Sequence, residues 1–435
     1  MAAGSNQVAF STRATDNSTS PSVANSQNVG DLLILYDPSA TGTVLAAAAI
    51  NGGLTSTGFG LQFTTTSATQ YEYTVYAIGG DVSSAEMIAL SSPGSTGNHA
   101  YSTTLGTPTA ALFASANATT SGTGGNASVN GMMLGWAASS SSQGVSMTEG
   151  TTSAKNGEQL TNACICTGAG LVVGALSSFG SNSCTINFSS TGSGVYTWGL
   201  FLYGSFNVVA FSNNSPTSNG NQSNSLSFSP MFALVQTLGA VVSGSSQAVT
   251  CQSIGTCDSN GNADTYVGVW VNPPKSGDSV AKSWYSAGVL LNGFNSSATS
   301  IVEASVANLT NGVTADFTTT QSGTQYQYIG FAIGSLAVTD TGEFSDDCSS
   351  MWGTSLHRTM MVLSRVKSAL DARNWWPARP AISFAQGILR RIILAMQTIS
   401  SQMTDAISNG NFALLLTRPL RQRPTGRNAT SSYRN

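Results

Sequence analysis

The stretch FTTTSATQYEYTVYAIG, Phe63 to Gly79, is written again almost unchanged as FTTTQSGTQYQYIGFAIG, Phe317 to Gly334. A chain that spells one unit twice, so far apart, must build at least two copies of one local structure. In YEYTVYA, Tyr71, Tyr73 and Val75 alternate with Glu72 and Thr74, the period of a strand with one buried face. FTTT reads as the end of a preceding strand and SAT as a tight connection, so the unit predicts a β-hairpin. In the second copy Tyr326 and Tyr328 stand for Tyr71 and Tyr73, Phe331 stands for Tyr76, and the connection grows by one residue to QSGT.

The likeness extends upstream, where Leu32 to Phe63 is echoed by Val289 to Phe317. A fainter third copy, FSSTGSGVYTWGLFLYG, runs from Phe188 to Gly204, with Tyr196, Trp198 and Phe201 in the aromatic positions. After each copy comes an apolar return strand: MIAL (Met87 to Leu90), FNVVAF (Phe206 to Phe211) and LAVT (Leu336 to Thr339). A half-buried hairpin must close its apolar face against another sheet. Ser/Gly/Asn-rich stretches then divide the chain into an N-terminal arm (1–19) and β-rich modules at 20–128, 129–225 and 226–345. The spacing of strands and turns predicts a mainly β fold of sandwich, jelly-roll-like modules with internal repeats.

Charged residues make up 8% of the chain, against about 25% in ordinary soluble domains. Polarity comes instead from Ser, Thr, Asn and Gln, which suits pleated surfaces and turns. So little charge weakens the usual barrier to self-association and points to contact with further copies of the chain. The first twenty residues lack the basic start and apolar core of a secretory signal. No apolar run reaches the length of a spanning helix. The six cysteines (Cys164, Cys166, Cys184, Cys251, Cys257 and Cys348) match no closed zinc pattern. Cys251 and Cys257 are candidates for a small disulfide loop, with free buried thiols as the alternative.

Charge is distributed unevenly. Residues 1–350 hold four basic and seventeen acidic residues, a net −13, while 351–435 hold twelve basic and two acidic, a net +10. In the latter stretch Leu356, Met360, Leu363, Val366 and Leu370 fall at helical spacing. NWWPARP interrupts the pattern at Pro377 and Pro380, and a second amphipathic run follows through Phe384, Ile388 and Ile392 to Ile407. The sequence therefore predicts an α-helical C-terminal segment at 351–408 and a basic tail at 409–435. Three readings are open for this region. It can neutralise phosphates through Arg379, Arg390, Arg391, Arg418, Arg421, Arg423, Arg427 and Arg434. It can contact a membrane transiently through Leu356, Met360, Leu363, Val366 and Leu370, with Trp375 and Trp376 as anchors. Or it can pack under the acidic β-part.

No catalytic constellation is visible. Only His99 and His357 exist, no serine sits in a nucleophile elbow, and no glycine-rich phosphate loop with its lysine occurs. An enzyme is not expected. In CDSNGNADT, Asp258, Asn260, Asn262 and Asp264 place oxygen ligands at alternate positions, as in a calcium loop. Ala263 replaces the glycine of that loop and Val269 its bidentate glutamate, so a plain turn is the favoured reading. Ca2+ is the one cofactor with a candidate site, and no other is expected.

This layout resembles the coat (capsid) proteins of small icosahedral viruses, which have a β-sandwich shell domain and a basic segment turned to the packaged genome. In some of these families an amphipathic helical peptide near the C-terminus also disrupts host membranes, and SSMWGTSLHRTMMVLSRVKSAL and the arginines after Pro377 would fill these roles. Many such coats carry the basic arm at the N-terminus, where this chain has only Arg13. The resemblance implies a virion structural protein, located in the virion, that self-assembles from many copies around nucleic acid. The repeated hairpins also resemble phage tail or head-decoration proteins, which implies the alternative of a host-receptor- or glycan-binding module.

Overall fold

Alternating apolar residues in each repeat do form strands, but the strands of one repeat never pair with each other. The computed structural model describes residues 1–13, 24–36, 43–55, 58–68, 72–126, 129–130, 132–151, 155–167, 171–192, 194–239, 251–271, 280–294, 299–334, 336–340, 344–345 and 412–417. These residues belong to one unit of the chain, Met1–Asp346 with Gly410–Asn435.

Along the chain come β1 (Ala2–Ala3), β2 (Asn6–Arg13), β3 (Ala24–Val29), β4 (Leu33–Tyr36), β5 (Val44–Thr55), β6 (Gly58–Thr65) and β7 (Glu72–Gly80). A second series follows: β8 (Val82–Ser91), β9 (Gly97–Ser102), β10 (Ala110–Ser115), β11 (Gly124–Asn126), β12 (Val129–Asn130), β13 (Met133–Ser139), β14 (Ser142–Thr151), β15 (Lys155–Leu160), β16 (Ile165–Thr167), β17 (Val172–Gly180), β18 (Ser183–Ser190) and β19 (Tyr196–Gly204). The third comprises β20 (Asn207–Asn214), β21 (Gly220–Ser225), β22 (Pro230–Thr237), β23 (Cys251–Asp258), β24 (Ala263–Val271), β25 (Val280–Ala287), β26 (Leu291–Phe294), β27 (Ser300–Asn308), β28 (Gly312–Thr319) and β29 (Gln327–Gly334). Last are β30 (Leu336–Asp340), β31 (Phe344–Ser345) and β32 (Phe412–Thr417).

Three large sheets result, all antiparallel and all with one strand order. They run β15-β14-β13-β10-β19-β8, then β25-β24-β23-β22-β29-β20, then β3-β2-β1-β32-β7-β30, with β31 continuing the line of β30 along β7. Each large sheet covers a small one: β16-β17-β18-β9, β26-β27-β28-β21 and β4-β5-β6. The described residues therefore form three β-sandwiches of one design, called modules 2, 3 and 1 in that order.

The predicted hairpin is a corner instead. β6 pairs with β5 in the small sheet, whereas β7 pairs with β32 and β30 in the large one. β18/β19 and β28/β29 repeat this division. Period-two alternation marks two strands and a connection; it does not say whether the connection folds back or crosses a sandwich. The return strands are corrected in the same way, since each leaves its own module. β8 follows β7 but lies along β19, β20 follows β19 but lies along β29, and β30 follows β29 but lies along β7. The modules are thus linked in a closed cycle of strand exchange.

Burial explains why the modules stay together. In β19, Phe201 and Tyr203 turn into module 2's own sandwich, while Trp198, Leu200 and Leu202 turn the other way. There they join Tyr76 and Ile78 of β7 and Ile329, Phe331 and Ile333 of β29 in one common core. Tyr76 lies 5.4 Å from Phe232 and Trp136 lies 6.1 Å from Phe331, ring to ring and across module boundaries. With both faces covered, central strands read as continuous apolar runs, as in AALFAS and PMFALVQT. The register also corrects the third repeat: Leu200, not Phe201, is the counterpart of Tyr76 and Phe331.

No helix occurs among the described residues, which corrects the expected mainly-β-plus-helical class to an all-β one. The predicted helical segment 351–408 lies outside the described residues. Within the predicted basic tail, FALLLT forms β32, which pairs with β7 from Phe412↔Ile78 to Thr417↔Tyr73. Six apolar-rich residues are too few for a stable helix but fit a strand, here paired with β1 on one side and β7 on the other.

Candidate nucleic-acid interface

The large sheet of module 1 places the two ends from which the basic chain departs. β31 ends at Ser345, paired with Glu72, and β32 ends at Thr417, paired with Tyr73. Both therefore stop at the same end of β7, on its two flanks, roughly 10 Å apart at two inter-strand spacings. From Ser345 the chain leads into residues carrying seven of the twelve C-terminal cations, and from Thr417 into the remaining five. In module 2 the connection equivalent to residues 346–411 takes only the 18 residues from Ser92 to Thr109, and in module 3 only the 15 from Ser215 to Ser229. The first basic segment is thus an insertion between two strands of a conserved sandwich pattern, and the second an extension from the neighbouring strand.

All eight candidate phosphate contacts, Arg379, Arg390, Arg391, Arg418, Arg421, Arg423, Arg427 and Arg434, lie outside the described residues. So do the seven candidate membrane contacts, Leu356, Met360, Leu363, Val366, Leu370, Trp375 and Trp376.

The candidate calcium residues form the β23–β24 turn. Asp258 is buried at its start. Its Oδ1 accepts from the backbone N–H groups of Asn260 (2.9 Å) and Asn262 (3.0 Å), and its Oδ2 from their side-chain amides at 3.2 and 3.0 Å. Four donors occupy the lone-pair positions of one carboxylate, so the spacing of Asp258, Asn260 and Asn262 serves an Asx-type turn. Asp264 is engaged elsewhere, accepting from the Tyr285 hydroxyl at 2.8 Å. Among the described residues no three His, Cys, Asp or Glu side chains gather.

Cys251 and Cys257 cannot bridge, because they stand at opposite ends of the straight strand β23, about 20 Å apart at the strand rise. Among the described residues Cys164, Cys166, Cys184, Cys251 and Cys257 are buried and in no disulfide. Burial pushes the Cys184, Cys251 and Cys257 thiols up to about 12, which makes them poor nucleophiles. His99 lies on β9, its ring edge-on to Phe188 and its Nε2–H donating to the Ser95 carbonyl at 2.9 Å.

One hydrogen-bonded carboxylate was not visible as such in the sequence. Glu86 of β8 accepts from the Tyr203 hydroxyl, the Thr104 hydroxyl (2.7 Å) and the Thr104 amide (3.0 Å). Partial burial works against its charge, but these hydrogen bonds outweigh it and hold the carboxyl below its ordinary value. Burial and the Glu86 contact push Tyr203 upward. The arrangement fastens an exchanged strand to its host strand.

Polar residues also join modules 2 and 3. Ser146 bonds Gln236 and Thr148 Oγ1 donates to Gln252 Oε1 at 3.1 Å, both buried, and Gln252 Nε2 donates to the Met132 carbonyl at 3.1 Å in a partly buried position. One missed signal was present in the sequence: FALLLT at 412–417 repeats FALVQT at 232–237, and the two strands hold equivalent places, Phe412 opposite Ile78 and Phe232 opposite Ile333. The class these features define, among the described residues, is an all-β body of three strand-exchanged sandwiches around one core. No family model, no curated protein and no solved structure matches this chain.

Proposed function

We propose that the protein is a virion structural protein, a shell-forming coat protein present in many copies, whose β-body forms the wall and whose basic C-terminal region contacts packaged nucleic acid. The observation that carries this reading is the departure of both cation-rich segments from one end of one strand, β7, in a body of net negative charge. Such a body repels phosphate everywhere except where the basic chain is delivered, which gives the subunit an inside and an outside. The alternative, a receptor- or glycan-binding tail module, relied on aromatic residues displayed at hairpin ends. Tyr73, Tyr76, Trp198 and Tyr328 are buried, while Tyr196 and Tyr326 keep partial exposure, so fewer rings support that reading than the repeats led one to expect.

The test must leave β32 in place. Residues 346–411 are replaced by the 15-residue connection 215–229 of module 3, and 418–435 are removed. This variant is expected to fold and to lose most co-purified nucleic acid. Restoring 418–435 alone should steepen the salt dependence of single-strand binding by about 3 to 4 log units per log unit of salt, for five arginines. Unchanged nucleic-acid content in the double deletion would sink the proposal.

A further inference from the structure

The connection after β10 in module 2 does more than link two strands. Its β11 lies antiparallel along β3 of module 1, with Gly124 opposite Gln27, Gly125 opposite Ser26 and Asn126 opposite Asn25. Gln27 Nε2 secures it by donating to the carbonyls of Thr120 (2.6 Å) and Gly122 (2.8 Å), and Thr123 Oγ1 accepts from the Val29 amide at 3.0 Å. The sequence there is TGGNAS, Thr123 to Ser128. Following β32, the counterpart of β10, the chain reads TGRNAT, Thr425 to Thr430. The offsets agree as well: Gly124 is nine residues past Ser115, the end of β10, and Gly426 is nine past Thr417, the end of β32.

The cycle of modules says where this second copy belongs. Module 2 donates to the outer strand of module 1, and the rotation that carries module 2 onto module 1 carries module 1 onto module 3. The outer strand of module 3 is β25, the last of its sheet among the described residues. The register follows from shared pairs: Asn28 stands opposite Ala9 as Ser286 stands opposite Thr265, which makes Ser26 and Trp284 equivalent. We propose that residues 426–428 run antiparallel along the outer edge of β25, with Arg427 opposite Trp284, and so fasten module 1 to module 3 within one chain. A sheet edge offers a row of N–H and C=O groups to such a segment irrespective of its side chains. The inference is independent of the nucleic-acid reading, since it concerns the backbone of the tail.

The test is a cross-strand disulfide in the full chain. Arg427→Cys with Trp284→Cys is oxidised beside a control, Gly125→Cys with Ser26→Cys, whose pairing is already seen. The expected product is a cross-link within the monomer, in a yield similar to the control. Disulfide-linked dimers would assign the tail to a second copy and overturn the proposal, as would no cross-link while the control closes. Hydrogen exchange reads the same contact without cysteines. Amides of residues 283–285 are expected to exchange about tenfold faster in a chain ending at Thr417 than in the full chain, and equal rates would overturn it.

Discussion

Phe412 stands opposite Ile78 in the sheet of module 1, as Phe232 stands opposite Ile333 in that of module 3. The strand that completes the first sandwich is therefore separated from β7 in sequence by the whole of modules 2 and 3. Module 1 consists of three separate pieces: residues 2–80, 336–345 and 412–417. Its fold depends on the whole chain rather than on its N-terminal third.

A chain ending at Asn411 is expected to lose the cooperative folding of the body, whereas one ending at Thr417 keeps it. Removing β32 takes away the strand between β1 and β7 and leaves both with unpaired backbone groups. Thermal unfolding and limited proteolysis distinguish the two. Equal melting of both truncations would contradict the role of β32.

The common core should couple modules energetically. Phe331→Ala is expected to cost about 3–5 kcal/mol, since the ring is fully buried. Tyr76→Ala and Phe232→Ala, whose rings meet across modules 1 and 3, should show a coupling of about 0.5–1.5 kcal/mol in a double-mutant cycle. Additive effects would mean that the modules stand independently.

Two equivalent glutamines should prove structural. Gln143 Oε1 accepts from the Leu176 amide and Gln7 Oε1 from the Ile50 amide, both at 2.7 Å. Each lets its large sheet reach a backbone N–H in its small sheet. Gln143→Leu leaves a buried amide without its acceptor and is expected to cost about 1–3 kcal/mol, read from the denaturant midpoint.

Alkaline pH should destabilise the protein through its thiols. Burial raises Cys184, Cys251 and Cys257 from the usual 9 to about 12. Above pH 9 the unfolded chain releases these protons while the folded chain keeps them, so their contribution is complete below pH 9 and is lost as pH rises toward 12. One unit above the unfolded value, the loss is about 1.4 kcal/mol for each thiol. Unfolding midpoints from pH 8 to 10.5, for the native chain and Cys251→Ala, measure this. A midpoint that does not depend on the thiol would contradict it.

Much of the fold could be read from residues such as Tyr73, Val75 and Tyr328, whose alternation marked strands correctly. The repeat of Phe63–Gly79 at Phe317–Gly334 correctly marked equivalent places. What it could not convey was partnership. Strand period is the same in a hairpin and at a sandwich corner, and return strands such as Met87–Leu90 carry no mark of the module they join. Asp258, Asn260 and Asn262 show the same limit at a site: oxygen atoms at alternate positions suit a cation or the donors of their own turn. Glu86 and Tyr203, 117 residues apart, meet only because β8 crosses into the neighbouring module.

The sequence by itself determined that the chain is built from repeated strand units and that its cations are concentrated after residue 350. These follow from periodicity and composition, which act over a few residues. Tertiary structure alone decided that β8, β20 and β30 exchange modules, that three sheets share one core, and that FALLLT returns to complete the first sandwich. The reason is that backbone hydrogen bonding between strands is nearly indifferent to side chains. Which edges meet is settled by how the apolar faces of all three sheets are buried together, a property of the assembled chain.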